Sequence, residues 1–261
     1  MQKTVWITGA SSGIGEALAL EYAKENANLI LSARNEEELN RVAKECTTGT
    51  NKVIVAPLDL AKSESFTSLV SSLRKQIDRI DILINNGGIS QRSLVSETPL
   101  EVDRKLFEIN YFGTVALTKA VLPWMIETGG GNITAISSIS GKFGFPLRSA
   151  YSATKHALFG FFETLGLEQV NNNIHTTIIC PGRIQTNIST RALDKEGNAT
   201  NEMDKGLADG MPASKCAKKI VRAIQKNKRE AWVGGKEILM VYIRKYFPRL
   251  FWKIAPNIDP K

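Results

Sequence analysis

The stretch that decides the fold is KTVWITGASSGIGEALAL, residues 3–20. A short apolar run is followed at once by the glycine-rich segment TGASSGIG, residues 8–15, and then by apolar residues at three- and four-residue spacing. This order predicts a strand, a tight turn and a helix. Glycines in such a turn let the backbone approach a pyrophosphate, which would lie on the positive end of the following helix. The stretch therefore predicts a dinucleotide-binding turn. If the glycine loop is considered without its strand and helix, a generic strand-to-helix turn is the alternative.

The same alternation of strand and helix continues along the chain. Six further apolar runs predict strands: NLILSA, KVIVAP, DILIN, GNITAIS, IHTTIIC and the weaker EAWVG. Helix-like stretches lie between them: GEALALEYAKEN, EEELNRVAKEC, SFTSLVSSLRKQI and RKLFEINYFGTVALTKAVLPWMI. Nearly continuous apolar strands separated by helices indicate a parallel sheet that is covered on both faces. We predict one α/β domain over residues 1–261, with a doubly wound, seven-stranded parallel sheet and no second domain.

Composition narrows the setting. The chain has 261 residues, of which 43% are hydrophobic and 23% charged, an ordinary balance for one globular domain. The three cysteines lie far apart without metal-ligand spacing, so we expect no metal site, no disulfide framework and a reducing, cytoplasmic compartment. The first strand begins at Lys3, which leaves no room for a signal peptide before it. No stretch offers the ~18 consecutive apolar residues of a membrane span.

The net charge of +8 is concentrated at one end of the chain. Residues 215–261 contain 13 Lys and Arg against 3 acidic residues, so this segment carries +10 and the remaining 214 residues sum to −2. Neither a helix-turn-helix pattern nor aromatic interleaving accompanies the charge, so we predict no nucleic-acid partner. The tail, about 236–261, mixes cationic and large apolar residues, as interfacial anchors do. Peripheral membrane contact, a dimer-swapped arm and a self-packed tail are all open.

Ligands of a doubly wound sheet bind beyond the carboxyl ends of its strands, and these ends are rich in small and polar residues. Arg34 follows the second strand, where an arginine can pair with the 2′-phosphate of NADP; a solvated surface charge is the alternative. Asp59 and Leu60 follow the third strand and would flank an adenine, although Asp59 is also typical of a turn before a helix. The later ends read NNGG, ISSISG and CPGRIQT.

Tyr151 and Lys155 stand four residues apart where a helix begins, so both side chains can face one bound ligand. A phenol has an ordinary pKa near ~10 and is a poor acid or base at neutral pH. A neighbouring ammonium favours the phenolate, and a positively charged nicotinamide ring would do the same, so together they would lower this pKa. The pair therefore has a chemical reason to exist in a proton-transfer site. If the pair is considered alone, the alternative is that Tyr and Lys occur at this helical spacing by chance and have no joint function.

Taken together, TGASSGIG, NNGG, the IN pair at 109–110, the SS pair at 137–138, YSATK and PGRIQT resemble the short-chain dehydrogenase/reductase family. The resemblance covers roughly residues 3–190, and PLRSAYSATKHALFGFF with the tail is closest to the hydroxysteroid-dehydrogenase-like branch. It implies a Rossmann-type domain that interconverts a carbonyl and a secondary alcohol with a nicotinamide dinucleotide, for which Arg34 favours NADP(H) over NAD(H). It also implies a small-molecule substrate and a homodimer or homotetramer.

The resemblance assigns roles to four residues. Tyr151 would be the general acid or base, and Ser138, thirteen positions earlier, would hydrogen-bond the substrate oxygen. Lys155 would hold the nicotinamide ribose and lower the tyrosine pKa. Asn110 would bind, through its backbone, a water that links Lys155 to solvent. The implied cofactor-binding residues are Gly9, Ser11, Ser12, Gly13, Ile14, Gly15, Arg34, Asp59, Leu60, Asn86, Gly87, Gly88, Tyr151, Lys155, Pro181, Gly182, Ile184 and Thr186.

Two departures from the family pattern bear on the cofactor. The chain has NNGG where the family usually has N-N-A-G, which adds backbone freedom beside the nicotinamide. Ser12 occupies a position where a basic residue often accompanies NADP preference, so the NADP prediction depends on Arg34.

The segment at about 187–212 is polar and should form a lid that sets substrate specificity. Aromatic residues between Ser138 and Tyr151, in GKFGFPLRSA, favour a moderately apolar carbonyl substrate or, alternatively, a subunit interface. A catalytically silent NADP(H)-binding sensor or interaction protein on the same fold is the competing function. A sugar-nucleotide epimerase or dehydratase is disfavoured, because its larger substrate domain and differently spaced glycine loop are missing.

Overall fold

The computed structural model describes residues 2–47 and 51–258. Its strands are β1 (Thr4–Thr8), β2 (Asn28–Ser32), β3 (Val53–Val55), β4 (Ile82–Asn85), β5 (Gly131–Ile136), β6 (Ile174–Pro181), β7 (Ile184–Gln185), β8 (Met211–Pro212) and β9 (Glu230–Val233). Its α-helices are α1 (Gly13–Lys24), α2 (Glu36–Cys46), α3 (Phe66–Arg74), α4 (Leu100–Phe107), α5 (Gly113–Glu127), α6 (Ser149–Glu168), α7 (Lys205–Ala208), α8 (Ala213–Gln225), α9 (Leu239–Tyr246) and α10 (Pro248–Ile254).

Seven of these strands form one parallel sheet in the order β3-β2-β1-β4-β5-β6-β9, and β7 pairs separately with β8. The strand order reverses between β1 and β4, so a crevice opens beyond their carboxyl ends. The predicted Rossmann-type, seven-stranded sheet with helices on both faces is confirmed. The prediction of one domain over 1–261 includes residues 1, 48–50 and 259–261, which lie outside the described residues.

The alternation of β1 explains how both faces of the sheet are covered. Val5 and Ile7 point to the face that α1, α2 and α8 cover, whereas Trp6 points to the face of α3, α5 and α6. All three side chains are fully buried. Removal of this apolar surface from water is the main force that fixes helices on both sides of the sheet. The sheet thereby becomes a rigid platform whose carboxyl edge carries the loops of the site.

The tail folds back on its own chain. In α9 and α10, Val241 and Phe251 are buried against Ile139 and Phe143, and the rings of Phe143 and Phe251 meet edge to face at 5.3 Å between centroids. The inner face of the tail is therefore self-packed, and Phe143 takes part in this packing. Within residues 2–47 and 51–258, no helix has both the length and the hydropathy needed to cross a bilayer.

Candidate active site

The loop between β1 and α1 has the backbone conformation that its glycines predict. Gly9 and Gly13 have φ angles of +65° and +61°, in the region that favours glycine. A Cβ on Gly15 would lie 2.1 Å from the carbonyl oxygen of Gly9, so the tight turn requires glycine there. Asn86 Nδ2 donates hydrogen bonds to the carbonyl oxygens of Thr8 and Gly9, at 3.0 and 3.2 Å. The end of β4 therefore holds the loop in place.

A cavity lies at the carboxyl edge of the sheet, beside this loop. Ten of the residues predicted from the sequence line it: Ile14, Asn86, Gly88, Ser138, Tyr151, Lys155, Pro181, Gly182, Ile184 and Thr186. They come from five separate parts of the chain, which the parallel topology brings to one edge.

The other predicted residues lie around the cavity or away from it: Gly9, Ser11, Ser12, Gly13, Gly15, Arg34, Asp59, Leu60, Gly87 and Asn110. Two of the glycines have little space beside them: a Cβ on Gly13 would lie 3.0 Å from Thr186 Cγ2, and one on Gly87 would lie 2.8 Å from Leu60 Cδ1. Asp59 Oδ1 accepts a hydrogen bond from the backbone N–H of Ala61 at 3.0 Å, as a turn residue does.

Tyr151 and Ser138 meet at the inner end of the cavity. Both are buried, and the Ser138 hydroxyl accepts a hydrogen bond from the backbone N–H of Ser140 at 3.1 Å. Burial raises the pKa of Tyr151, while the positive charge of Arg148 and a side-chain hydrogen bond with Ser138 act to lower it. The neighbouring charge that opposes the rise is thus Arg148. The predicted influence of Lys155 on this pKa stays a prediction.

Lys155 is a buried cation whose side chain is held in place by a hydrogen bond. Its Nζ donates a hydrogen bond to the carbonyl oxygen of Ile136 at 2.8 Å and lies 5.7 Å from the ring centroid of Tyr151. Burial lowers the pKa of Lys155 to about 8. An ammonium held in this way can donate further hydrogen bonds into the cavity, because it carries three N–H groups.

Asn110 lies in a π-helical turn, Glu108–Phe112, between α4 and α5. Its side chain accepts a hydrogen bond from the backbone N–H of Ile89 at 2.8 Å and donates one to the carbonyl oxygen of Ile89 at 2.9 Å. A Cβ on Gly88 would lie 2.9 Å from Asn110 Oδ1 and 3.7 Å from Lys155 Nζ. Asn110 therefore positions the chain beside Lys155, and its predicted backbone-bound water stays a prediction.

Gln91 is a site residue that sequence reasoning missed. Its Oε1 accepts hydrogen bonds from the backbone N–H groups of Ala150 and Tyr151, at 2.9 and 3.3 Å, at the start of α6. These are two of the N–H groups that a helix leaves without partners in its first turn. Gln91 therefore orients the helix turn that carries Tyr151. Its place three residues after NNGG was the available signal.

A buried ion cluster was also missed. Asp204 Oδ2 accepts hydrogen bonds from Arg92 Nη2 at 2.8 Å and from Arg148 Nη2 at 2.7 Å. Both arginines line the cavity together with Tyr151. Asp204 is separated by 112 positions from Arg92 and by 56 from Arg148, so no local pattern could have joined them.

The segment predicted as a lid forms one wall of the cavity through Ile188, Ser189 and Ala192. Leu193 forms a bridge with Gln91, which ties this wall to the chain after β4. From the same segment, Arg191 Nη1 lies 3.4 Å from the Ser12 hydroxyl in the glycine loop. No sequence pattern predicts this contact. Movement of the lid stays a prediction.

Comparisons with known proteins agree with this geometry. A family profile described as "short chain dehydrogenase" matches residues 3–197. The human protein "Dehydrogenase/reductase SDR family member 7" is 41% identical over 98% of this chain and 78% of its own length.

Two solved structures have a similar fold. A short-chain dehydrogenase from Streptomyces avermitilis is 30% identical, with a TM-score of 0.83 over 99% of this chain and all of its own. A short-chain dehydrogenase/reductase from Burkholderia phymatum, solved in complex with NAD, has a TM-score of 0.85 at 20% identity, covering 100% of this chain and 96% of its own. With the profile match and the human relative, these findings show that the chain belongs to the short-chain dehydrogenase family of oxidoreductases.

Proposed function

We propose that the protein is an NAD(P)H-dependent oxidoreductase that interconverts a carbonyl group and a secondary alcohol on a small molecule. The observation that carries the proposal is the convergence of Ser138, Tyr151 and Lys155 on one cavity at the switch point of the sheet. A catalytic acid, an oxyanion donor and a cation within one cavity are the parts that carbonyl reduction needs.

The site fits a nicotinamide dinucleotide. The tight loop of Gly9, Gly13 and Gly15 lets a pyrophosphate reach the start of α1, and the buried ammonium of Lys155 can donate to a ribose hydroxyl. The bound cofactor would supply or accept the hydride. The Burkholderia phymatum protein of the same fold was solved with NAD, which supports a cofactor of this class.

Residues of the protein would transfer the proton to and from the substrate oxygen. Ser138 donates a hydrogen bond to the substrate oxygen and stabilises the charge that develops there. Tyr151 gives its phenolic proton to that oxygen in reduction and takes it back in oxidation. Lys155 stabilises the phenolate through its positive charge. The apolar side chains of Ile188 and Leu207, which line the same cavity, would exclude water from the reacting carbon.

Turnover is tested by following NADPH oxidation spectrophotometrically against a panel of steroids, retinoids, quinones and aliphatic ketones. We expect at least one class to be reduced. The competing function, a catalytically silent NADP(H)-binding protein, predicts tight cofactor binding with no turnover on any class. That result would overturn the proposal.

NADP(H) is proposed as the preferred cofactor because of two exposed arginines, one after β2, the strand whose last residue Ser32 accepts a hydrogen bond from the N–H of Ala10 in the glycine loop, and one that contacts the loop. Arg34 follows β2, and Arg191 reaches Ser12, the position where a basic residue often accompanies NADP binding. We expect Arg34→Met and Arg191→Met each to weaken NADPH binding by about 10-fold, with little effect on NADH, because a phosphate loses a charge-assisted partner. NADPH and NADH fluorescence titrations measure both constants. Equal losses for the two cofactors would contradict the assignment.

The tail is proposed to contact anionic membrane surfaces. Its outer face exposes four aromatic side chains, Tyr242, Tyr246, Phe247 and Trp252, of which Trp252 is 65% exposed. Cationic residues alternate with them along the chain: Lys236, Arg244, Lys245, Arg249 and Lys253. Each cation near an anionic surface contributes about 1 kcal/mol, so we expect at least about 10-fold stronger binding to anionic than to neutral vesicles.

Flotation with phosphatidylcholine vesicles, with and without phosphatidylserine, tests this proposal. The double variant Phe247→Ser/Trp252→Ser should stay at the bottom of the gradient. The matched control is Val95→Ser, which removes an apolar side chain that is 77% exposed elsewhere on the surface. Equal flotation of wild type and double variant would refute membrane contact, and a dimer arm would instead change the sedimentation of the double variant.

We also propose that the protein is cytoplasmic and forms a homodimer or homotetramer. The three cysteines are free and buried, which suits a reducing compartment. Phe112 and Leu167 are 53% and 73% exposed, on the π-helical turn and on α6, two elements that pack together. Exposed apolar groups of this size support self-association, which sedimentation at several concentrations measures.

A further inference from the structure

The cavity has a strong charge imbalance. Its described lining includes three cationic side chains, Arg92, Arg148 and Lys155, and neither aspartate nor glutamate. Buried charges are costly to leave without partners. A cavity with this lining is therefore built to receive negative charge.

The carboxylate of Asp204 balances only part of this charge. Arg92 and Asp204 have side chains that are 6% and 7% exposed, and Arg148 is 17% exposed, so the cluster is removed from bulk water. Two guanidinium groups share one carboxylate, which leaves a net charge of +1 before Lys155 is counted. Burial lowers the pKa of Arg148, and the nearby charge of Arg92 acts in the same direction.

Asp204 itself is held firmly. Its Oδ1 accepts a hydrogen bond from the backbone N–H of Gly206 at 3.0 Å, and its own N–H donates to the Ser189 hydroxyl at 3.1 Å. The carboxylate is thus fixed at the start of α7 and in turn fixes both guanidinium groups. Arg148 also lies over the Phe145 ring, at 5.3 Å from its centroid. These contacts make the arginines a preorganised pair.

Each guanidinium keeps donors for another ligand. An arginine carries five N–H groups, and among the described residues each of the two donates one hydrogen bond, in both cases to Asp204. Both side chains line the cavity, so their remaining N–H groups can reach a bound molecule. Paired N–H groups of arginine match the oxygens of carboxylate and phosphate.

We propose that Arg92 and Arg148 bind an anionic group of the substrate, a carboxylate or a phosphate, and that Asp204 positions them. The inference rests on the proposed function and names the substrate class for the same site. Arg148 directly precedes α6, three positions before Tyr151; both side chains line the cavity, and the charge of Arg148 acts on the Tyr151 phenol. The anionic group and the reacting carbonyl should therefore be separated by only a few bonds. Ile188, Ala192 and Leu207 remain available for an apolar portion of the substrate.

The test compares matched ketones that differ in charge: aliphatic 4-oxo and 5-oxo carboxylic acids, their methyl esters, and ketones with a phosphate at the same position. For the wild-type protein with NADPH we expect kcat/KM to be about 10- to 100-fold higher for an anionic ketone than for the ester, as one lost charge-assisted interaction predicts. In Arg92→Met and Arg148→Met this ratio should fall toward one. Arg104→Met, which removes an exposed arginine from α4, should keep the wild-type ratio. A preference for the acid over the phosphate, or the reverse, identifies the anion.

A second measurement does not depend on turnover. The oxo acid or phosphate ketone should raise the melting temperature of the wild-type protein with NADP⁺ more than the ester does, and the difference should vanish in Arg148→Met. If the wild type reduces esters as efficiently as anionic ketones, the inference is wrong while the proposed function stands. If nothing is reduced but the anion-dependent stabilisation is present and needs Arg148, the anion site stands and the proposed function is wrong. Stabilisation that persists in both arginine variants overturns the site.

Discussion

Replacing Tyr151 with phenylalanine is expected to lower kcat for carbonyl reduction by about 10²- to 10⁴-fold, the usual contribution of a positioned general acid. The aromatic ring is part of a buried cluster with Val102, Leu106, Ala150 and Leu193, and phenylalanine preserves that packing. Only the phenolic hydroxyl is lost, so the substrate oxygen has no proton donor at the inner end of the cavity. Steady-state kinetics with a saturating ketone measures the effect.

The matched control is Tyr22→Phe, the same chemical change at another buried tyrosine. The Tyr22 hydroxyl on α1 has no hydrogen-bond partner among the described residues, so its removal should leave both fold and turnover intact. Because Tyr151 is also an implied cofactor contact, cofactor titration of Tyr151→Phe is measured separately and kcat is compared at a saturating cofactor concentration. A well-folded Tyr151→Phe protein with wild-type kcat would exclude the proposed proton transfer.

Replacing Lys155 with methionine is expected to weaken cofactor binding and catalysis together. The ammonium is buried and donates to one described carbonyl, that of Ile136, so its other N–H groups are free to hold the ribose. Loss of a charge-assisted hydrogen bond should raise the NADPH dissociation constant by about 10- to 100-fold. We expect kcat to fall by a further factor of about 10 or more, because one pKa unit in the catalytic phenol corresponds to about 1.4 kcal/mol.

Stability separates this role from a structural one. A buried ammonium is costly to desolvate, and methionine has a similar shape without the charge, so Lys155→Met should melt at or above the wild-type temperature. A marked fall in melting temperature would show that Lys155 serves the fold instead.

The pH profile provides a further check. Burial lowers the pKa of Lys155 to about 8. The ammonium is therefore present below this pH and lost above it. Reduction by the wild type should decline as pH rises through about 8, and this limb should be missing from Lys155→Met. An unchanged limb in the variant would assign it to another group.

The sequence was sufficient for the architecture because the information that specifies it is local. Each strand of the sheet is an apolar run of three to eight residues, and each is bounded by residues that end it. Their alternation with helix-like stretches indicated a parallel sheet that is covered on both faces. The pair β7 and β8 was not predicted, since strands of two residues have no periodicity to detect.

In the site, the residues that could be identified from the sequence are those whose spacing is set by a single helix or by one short connection. Tyr151 and Lys155 share a helix face, and Ser138 follows β5 at a distance set by the short connection to α6. Arg148, whose charge opposes the rise in the pKa of Tyr151, was not singled out from the sequence, and the predicted influence of Lys155 stays a prediction. The aromatic residues before Tyr151 were expected to face the substrate or, alternatively, a subunit interface, whereas Phe143 packs against Phe251 of the tail.

By itself, the sequence determined the fold, the glycine loop and the order of the proposed catalytic residues along the chain, because turns and helical spacing are short-range properties. Only the tertiary structure brought Arg92, Arg148 and Asp204 together and placed Arg191 beside Ser12. A charged residue in a loop has no periodic signature, and its partner depends on how distant segments cross at the sheet edge. Arginine and aspartate are usually exposed, but here they are largely buried and give the cavity its positive charge. The proposed substrate class therefore follows from the folded chain and not from the sequence pattern.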